Sequence, residues 1–159
     1  MNISKINLAD LIENRIFISP DKLPKEQVLG LLVKLICQAD ARLNFREVLQ
    51  RVLDREVELS TTLDCGLSIP HARLDDFDKV LAALAVLPQS LQDVNGHIIR
   101  CVFLFVTPVR SDFFPIHLQV LSVAVGELSP QLMERLCVCN HANEVQQVLR
   151  QADNVKEMI

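Results

Sequence analysis

The spacing of apolar residues changes twice along this chain. Leu8 to Glu13 reads as a short helix, and Ile16, Phe17 and Ile18 make a brief extended stretch stopped by Ser19-Pro20. Val28, Leu31, Leu32, Leu35 and Ile36 then recur three and four positions apart. That spacing predicts a helix from about Pro24 to Ala39, with Pro24 in its first turn. Asn44 can cap the next helix, and Glu47 stands where a capping box needs it. Val48, Leu49, Val52 and Leu53 form its apolar face, and Arg55 and Glu56 lie near its end. After Ser60 the helical spacing gives way to short blocks. Leu67 to Pro70, Val80 to Leu87 and Cys101 to Val106 read as strands, the last two apolar at nearly every position. Pro115 opens a further helix, with Leu118, Leu121, Val125 and Leu128 on one face. Ser129-Pro130 supplies a cap and a first helical residue for a helix ending near Cys137, and Asn140 to Gln151 forms the last one.

Strands that are apolar on both sides belong in a sheet covered on both faces. The expected fold is α/β: a single layered domain over residues 1–159, with a small mixed central sheet flanked by helices on both faces. No repeat, low-complexity segment or linker divides the chain. Half of its residues are hydrophobic, enough for a core without disulfides or metal.

Composition then removes several function classes. The net charge is −4 and no block of Lys or Arg stands out, so neither nucleic acid nor an anionic membrane is an expected partner. The first ten residues lack the basic start and apolar run of a leader. Val80 to Leu87, the longest apolar candidate, is strand-sized and rules out membrane insertion; the expected location is the cytoplasm. The five cysteines (Cys37, Cys65, Cys101, Cys137 and Cys139) are odd in number, which fits a reducing compartment. Cys37 and Cys101 sit in apolar segments and read as small core residues. Cys137 and Cys139, with His141 close behind, fall in a helix-ending segment with no second pair elsewhere. Neither a metal nor another cofactor is expected.

Chemistry concentrates in Arg55-Glu56-Val57-Glu58-Leu59-Ser60-Thr61, continuing to Gly66-Leu67-Ser68-Ile69-Pro70-His71. Ile69 precedes a proline and is biased to an extended conformation. Pro70 lacks an N–H and cannot continue a central strand's ladder. His71 is therefore expected just beyond a strand end, where function often sits in α/β folds. Local context alone leaves a turn histidine without a role as an equal alternative.

Arg-Glu-x-x-x-Ser-Thr from Arg55, followed by Gly-x-x-Ile-Pro-His ending at His71, resembles the active-site pattern of enzyme IIA proteins of the fructose/mannitol class. These belong to the bacterial phosphoenolpyruvate-dependent phosphotransferase system. Downstream, Phe105-Val106-Thr107-Pro108 leads into His117-Leu118-Gln119-Val120-Leu121, which is similar to the family's apolar strand, loop and His-Leu-x-x-Leu helix. The likeness covers nearly the whole chain. The wording departs from the family's at Thr62, Asp64, Cys65 and Ala72, and between Pro88 and Arg100.

The resemblance implies a phosphocarrier, with His71 as the phosphorylated nucleophile, Arg55 as the phosphate clamp and His117 as a further donor to the phosphoryl group. Those residue types suit the chemistry. A histidine titrating near ~6.5 is substantially neutral at cytoplasmic pH. An arginine fork binds phosphate oxygens in pairs. His117, close behind Pro115, is expected in the first turn of its helix, where N–H groups favour an anion. Ser60 and Thr61 would bond the ring or stabilise the loop, and Glu56 would pair with a base or cap the loop. Asp75, Asp76 and Asp78 read as a solvated turn before an acidic docking rim. His97 and His141 receive no role.

The implied phosphate donor is HPr or its nitrogen-regulatory HPr-like paralogue. The preferred reading is the nitrogen-regulatory subtype, a phosphorylation-dependent regulator of a sensor kinase or potassium transporter, because no IIB, IIC or HPr domain is fused to the chain. The alternative is a sugar-transport IIA passing phosphate to an enzyme IIB domain. A metal-dependent hydrolase built on His71, His117 and Cys65 ranks last, for want of a motif such as H-E-x-x-H.

Overall fold

A computed structural model describes residues 6–58, 62–63 and 65–157 of the chain. In order, the elements are α1 (Leu8–Ile12), β1 (Ile16–Ile18), α2 (Lys25–Ala39), α3 (Phe45–Glu58), β2 (Leu67–Ser68) and β3 (His71–Leu74). Then follow β4 (Leu81–Gln92), β5 (Ile98–Pro108), a 3₁₀ turn (Ser111–Phe113), α4 (Phe114–Glu127), α5 (Pro130–Cys137) and α6 (Ala142–Glu157). The strands make one mixed sheet in the order β1-β4-β5, with β2 and β3 in line along the far side of β5. Only β4 and β5 are antiparallel; β1 runs parallel to β4, and β2 and β3 run parallel to β5.

Side-chain alternation divides the core into two layers. Ala82, Leu84 and Val86 of β4, with Cys101, Phe103 and Phe105 of β5, pack towards α1, α4, α5 and α6. Ala83, Ala85 and Leu87, with Val102, Leu104 and Val106, pack towards α2 and α3. Both sets are buried, so the two central strands are apolar without interruption, and the expected α/β sheet with helices on both faces is what forms. Several helix ends follow local chemistry. Asn44 Oδ1 accepts from the N–H of Glu47 at 3.1 Å, and Ser129 Oγ accepts from Leu132 at 3.2 Å.

Four local expectations need correction. Pro24 stands at the N-cap of α2 and not inside its first turn. The central strands run beyond their apolar blocks, to Gln92 and back from Ile98, because a hairpin joins them. Its turn is closed by Asp93, whose Oδ1 accepts from the N–H groups of Asn95 and His97, and Gly96 adopts a φ of 86°. The buried stripe of α4 is Ile116, Val120 and Ala124, continued by Leu128 just past the helix, while Leu118 and Val125 are about half exposed. This helix is apolar nearly all round, so its sequence does not say which face turns inward. The largest correction concerns His71. The strand does not stop at Pro70: β3 begins with His71, in register with Phe105. Pro70 lacks a donor, but its carbonyl still accepts from the N–H of Phe105 at 3.2 Å, which holds the register across the break.

Candidate functional site

β3 lies at the edge of the sheet, and edges need cover. Here α3 covers it from one layer and α4 from the other. Val48 and Val52 of α3 pack with Ala72 and Leu74, whereas His71 points the opposite way, onto Phe105. Between the two helices runs a cleft of about 590 Å³. Arg55, His71, Arg73 and His117 line it, with Phe114 and Leu118 as apolar walls. The three residues singled out in the sequence, Arg55, His71 and His117, thus come together from α3, β3 and α4.

His71 is held on three sides. Its ring stacks on Phe105 with centroids 5.2 Å apart and planes at 18°, and meets His117 edge-on at 5.1 Å. Nδ1 lies 2.8 Å from the carbonyl oxygen of Ile69. A carbonyl can only accept, so Nδ1 carries the proton and Nε2 keeps its lone pair. The Ile69-Pro70-His71 kink therefore selects the tautomer as well as the ring position.

His117 is as buried as His71, at 6 % exposure each. Its Nδ1 lies 2.7 Å from the hydroxyl of Thr107, itself fully buried at the end of β5. The expected free helix end is absent here. The chain is already turning at Ser111, and the N–H groups of Phe113 and Phe114 bond to Arg110 and Ser111. Pro115 has no N–H, and His117 is the fourth residue of α4. What α4 offers the cleft is the imidazole of His117 and not an empty backbone terminus.

Electrostatically the site keeps both rings neutral. Burial pushes His71 below the usual histidine range; the Ile69 bond and the Glu56 charge oppose this, and Arg55 adds to it. Burial, reinforced by His71, Arg73 and Arg55, pushes His117 down to about 4. Arg55, in the last turn of α3, has no hydrogen-bond or ion-pair partner among the described residues. The neighbouring arginines are engaged. Arg51 pairs with Asp75 and donates to the Arg73 carbonyl, and Arg110 pairs with Asp112 at 2.8 Å. Next to Arg55, Glu56 is held by Lys25 at 2.8 Å, which fits pairing with a base.

Ser60, Thr61 and Asp64 lie outside the described residues. Asp75 and Asp78 are bound to Arg51 and Arg42. Cys65 is exposed and does not line the cleft, so it does not join His71 and His117 as a ligand set. Cys101 is buried and Cys37 half-buried in apolar surroundings. Among the described residues, no helix is long and apolar enough to cross a membrane. Arg73 is a site residue that the sequence motifs do not include, and Thr107 stands within the Phe105–Pro108 motif with no role assigned to it there. Period-two spacing from His71 would have pointed to Arg73, had the strand been continued through Pro70.

Compared with known proteins, residues 11–152 match the family described as "Phosphoenolpyruvate-dependent sugar phosphotransferase system, EIIA 2". No curated protein matches the chain by sequence. Solved structures are similar in fold. The nitrogen regulatory protein IIA-Ntr from Neisseria meningitidis superposes with a TM-score of 0.75 at 20 % identity, covering 89 % of this chain and 98 % of its own. The mannitol IIA of Escherichia coli gives 0.69 at 20 % identity, covering 86 % and 96 %. The same IIA in complex with phosphorylated IIB, also from Escherichia coli, gives 0.69 at 20 %, covering 87 % and 95 %.

Proposed function

The chain belongs to the EIIA 2 family of the phosphoenolpyruvate-dependent sugar phosphotransferase system, and from that premise we propose that it carries a phosphoryl group on His71. The donor is HPr or its nitrogen-regulatory HPr-like paralogue, and the protein works in the cytoplasm. The observation that carries this reading is the 2.8 Å contact of His71 Nδ1 with the Ile69 carbonyl, which puts the proton on Nδ1 and leaves Nε2 as the nucleophile.

In the step, the Nε2 lone pair attacks phosphorus while the N–P bond of the carrier's phosphohistidine breaks. The electron pair of that bond returns to the carrier's imidazole. Nδ1 keeps its proton throughout, and the Ile69 carbonyl stabilises the cationic character that develops on the ring. Arg55, which lines the cleft and has no ion-pair partner among the described residues, binds the equatorial oxygens. The Thr107 hydroxyl lies 2.7 Å from His117 Nδ1; in the tautomer where it donates there, Nε2–H of His117 is the donor to a third phosphoryl oxygen. Both histidines are buried neutral, so the site admits the phosphoryl dianion without a competing imidazolium.

Phosphorylation adds about two negative charges to an exposed cleft, which suffices to change a docking surface. We read the chain as the nitrogen-regulatory subtype, acting on a sensor kinase or potassium transporter, in keeping with its likeness to IIA-Ntr. Transfer onward to an enzyme IIB domain is the second reading, favoured by the likeness to a IIA solved with phosphorylated IIB. Incubation with phosphoenolpyruvate, enzyme I and each carrier, followed by intact-mass measurement at alkaline pH, tests the proposal. One acid-labile phosphate is expected, faster from the nitrogen-regulatory carrier. No phosphate from either carrier contradicts it.

A further inference from the structure

The arginine two residues after His71 is bound in a way that phosphate clamping does not explain. One nitrogen of Arg73, Nη2, donates to three successive carbonyls: Pro108 at 3.1 Å, Val109 at 3.0 Å and Arg110 at 3.1 Å. The guanidinium also lies over the Phe114 ring, 5.3 Å from its centroid. Those four residues bridge the end of β5 and the start of α4. They are flanked by the second site histidine, His117, and by Thr107, whose hydroxyl meets its Nδ1. In the parallel β3–β5 ladder Arg73 stands opposite Thr107, so the bracing reaches across one strand pair. From the other side, Arg51 donates to the Arg73 carbonyl at 2.9 Å.

We propose that Arg73 is a positioning residue for phosphoryl transfer: its guanidinium pins the β5–α4 turn to the edge strand and so fixes where His117 stands relative to His71. The inference rests on the phosphocarrier reading of the cleft. The planar group matters because its face lies against the Phe114 ring while one nitrogen serves the three acceptors. An ammonium can supply charge and donate to some of those carbonyls, but it has no flat face for the ring. Val109 is exposed, as is Arg110, so water can take over their carbonyls when the side chain is removed and the fold survives.

Arg73→Gln and Arg73→Lys in the full chain provide the test. Transfer from a phosphorylated carrier should lose on the order of a hundredfold in maximal rate in Arg73→Gln, the scale expected for a misplacement of about 1 Å. Half-saturation by the carrier should change little. Arg73→Lys, although it restores the charge, should recover only a small part of the rate. In the unphosphorylated protein, NMR contacts between the His117 and Phe105 rings, whose centroids are 5.1 Å apart, should weaken in both variants. Wild-type rate in Arg73→Lys would replace positioning by simple charge and overturn the proposal. Unchanged ring contacts in both variants would overturn it as well. If the wild-type protein takes no phosphate, the phosphocarrier reading fails, while the ring contacts still decide what Arg73 holds in place.

Discussion

Two histidine sites in this molecule differ in ways that explain what a histidine can do in each. At the β4–β5 turn, His97 is 41 % exposed along its side chain and sits 3.4 Å from the Asp93 carboxylate. Its backbone N–H, like that of Asn95, closes the turn on Asp93 Oδ1. At the β3 edge, His71 and His117 are buried, His71 stacked on Phe105 and edge-on to His117, with Arg55 and Arg73 lining the same cleft. At His97 a carboxylate lies beside the exposed ring. Cations beside buried rings keep them neutral and leave room for an incoming anion. The first arrangement lies in a turn, and the second is the one proposed here as the acceptor for phosphate.

The most severe way to break the contrast is at the nucleophile. His71→Ala should abolish phosphate incorporation, whereas phosphate persisting in that variant would place the acceptor elsewhere. Arg55→Ala should come next. Phosphoryl transfer should slow by roughly a hundredfold or more, as for loss of one preorganised donor. Stability should change by less than about 0.5 kcal/mol, since Arg55 has no structural partner among the described residues. Arg55→Lys should restore only part of the rate. Equal falls in stability and rate would mean that Arg55 holds the structure and not the phosphate.

The pH dependence sharpens the same comparison. For His117 the folded-state value, about 4, lies below the 6.5 of an unperturbed ring. The unfolded chain therefore takes up its proton first. Stability from this group is full above about 6.5, falls on acidification towards pH 4 and is level below that. His71, also lowered, adds to the loss in the same direction. Denaturant titrations across this window should show on the order of 3 kcal/mol of acid loss, reduced in His117→Gln. The smallest effect is expected at the turn. His97→Ala should leave transfer unchanged and move stability by no more than about 0.5 kcal/mol, because its backbone N–H still reaches Asp93.

How much of this was legible in the sequence depended on whether one residue type had one meaning. The alternating burial of β4 and β5 followed from two apolar blocks, because a strand apolar on both sides has only one place in a layered fold. His71, Arg55 and His117 stood out through motif spacing. Pro70 misled, because the rule that proline ends a strand holds for central ladders, and this is an edge strand that keeps its register through a carbonyl. With the strand ended there, Arg73 lost its place on the face of His71. His117 stands in the first turn of α4 as its place behind Pro115 predicts, but Ser111–Phe113 winds into α4 before Pro115, a continuity that no single residue announces. The apolar face of α4 was illegible for a further reason: Leu118 is left half exposed on the cleft wall, although its side chain is as apolar as the buried ones.

The nitrogen that bonds to phosphorus is the most direct test of the account. Phosphorylated protein labelled with ¹⁵N in histidine would show, by NMR, which ring nitrogen couples to ³¹P. The account predicts coupling to Nε2 of His71 alone, with Nδ1 still protonated against the Ile69 carbonyl. Coupling to Nδ1 of His71, or to either nitrogen of His117, would contradict it.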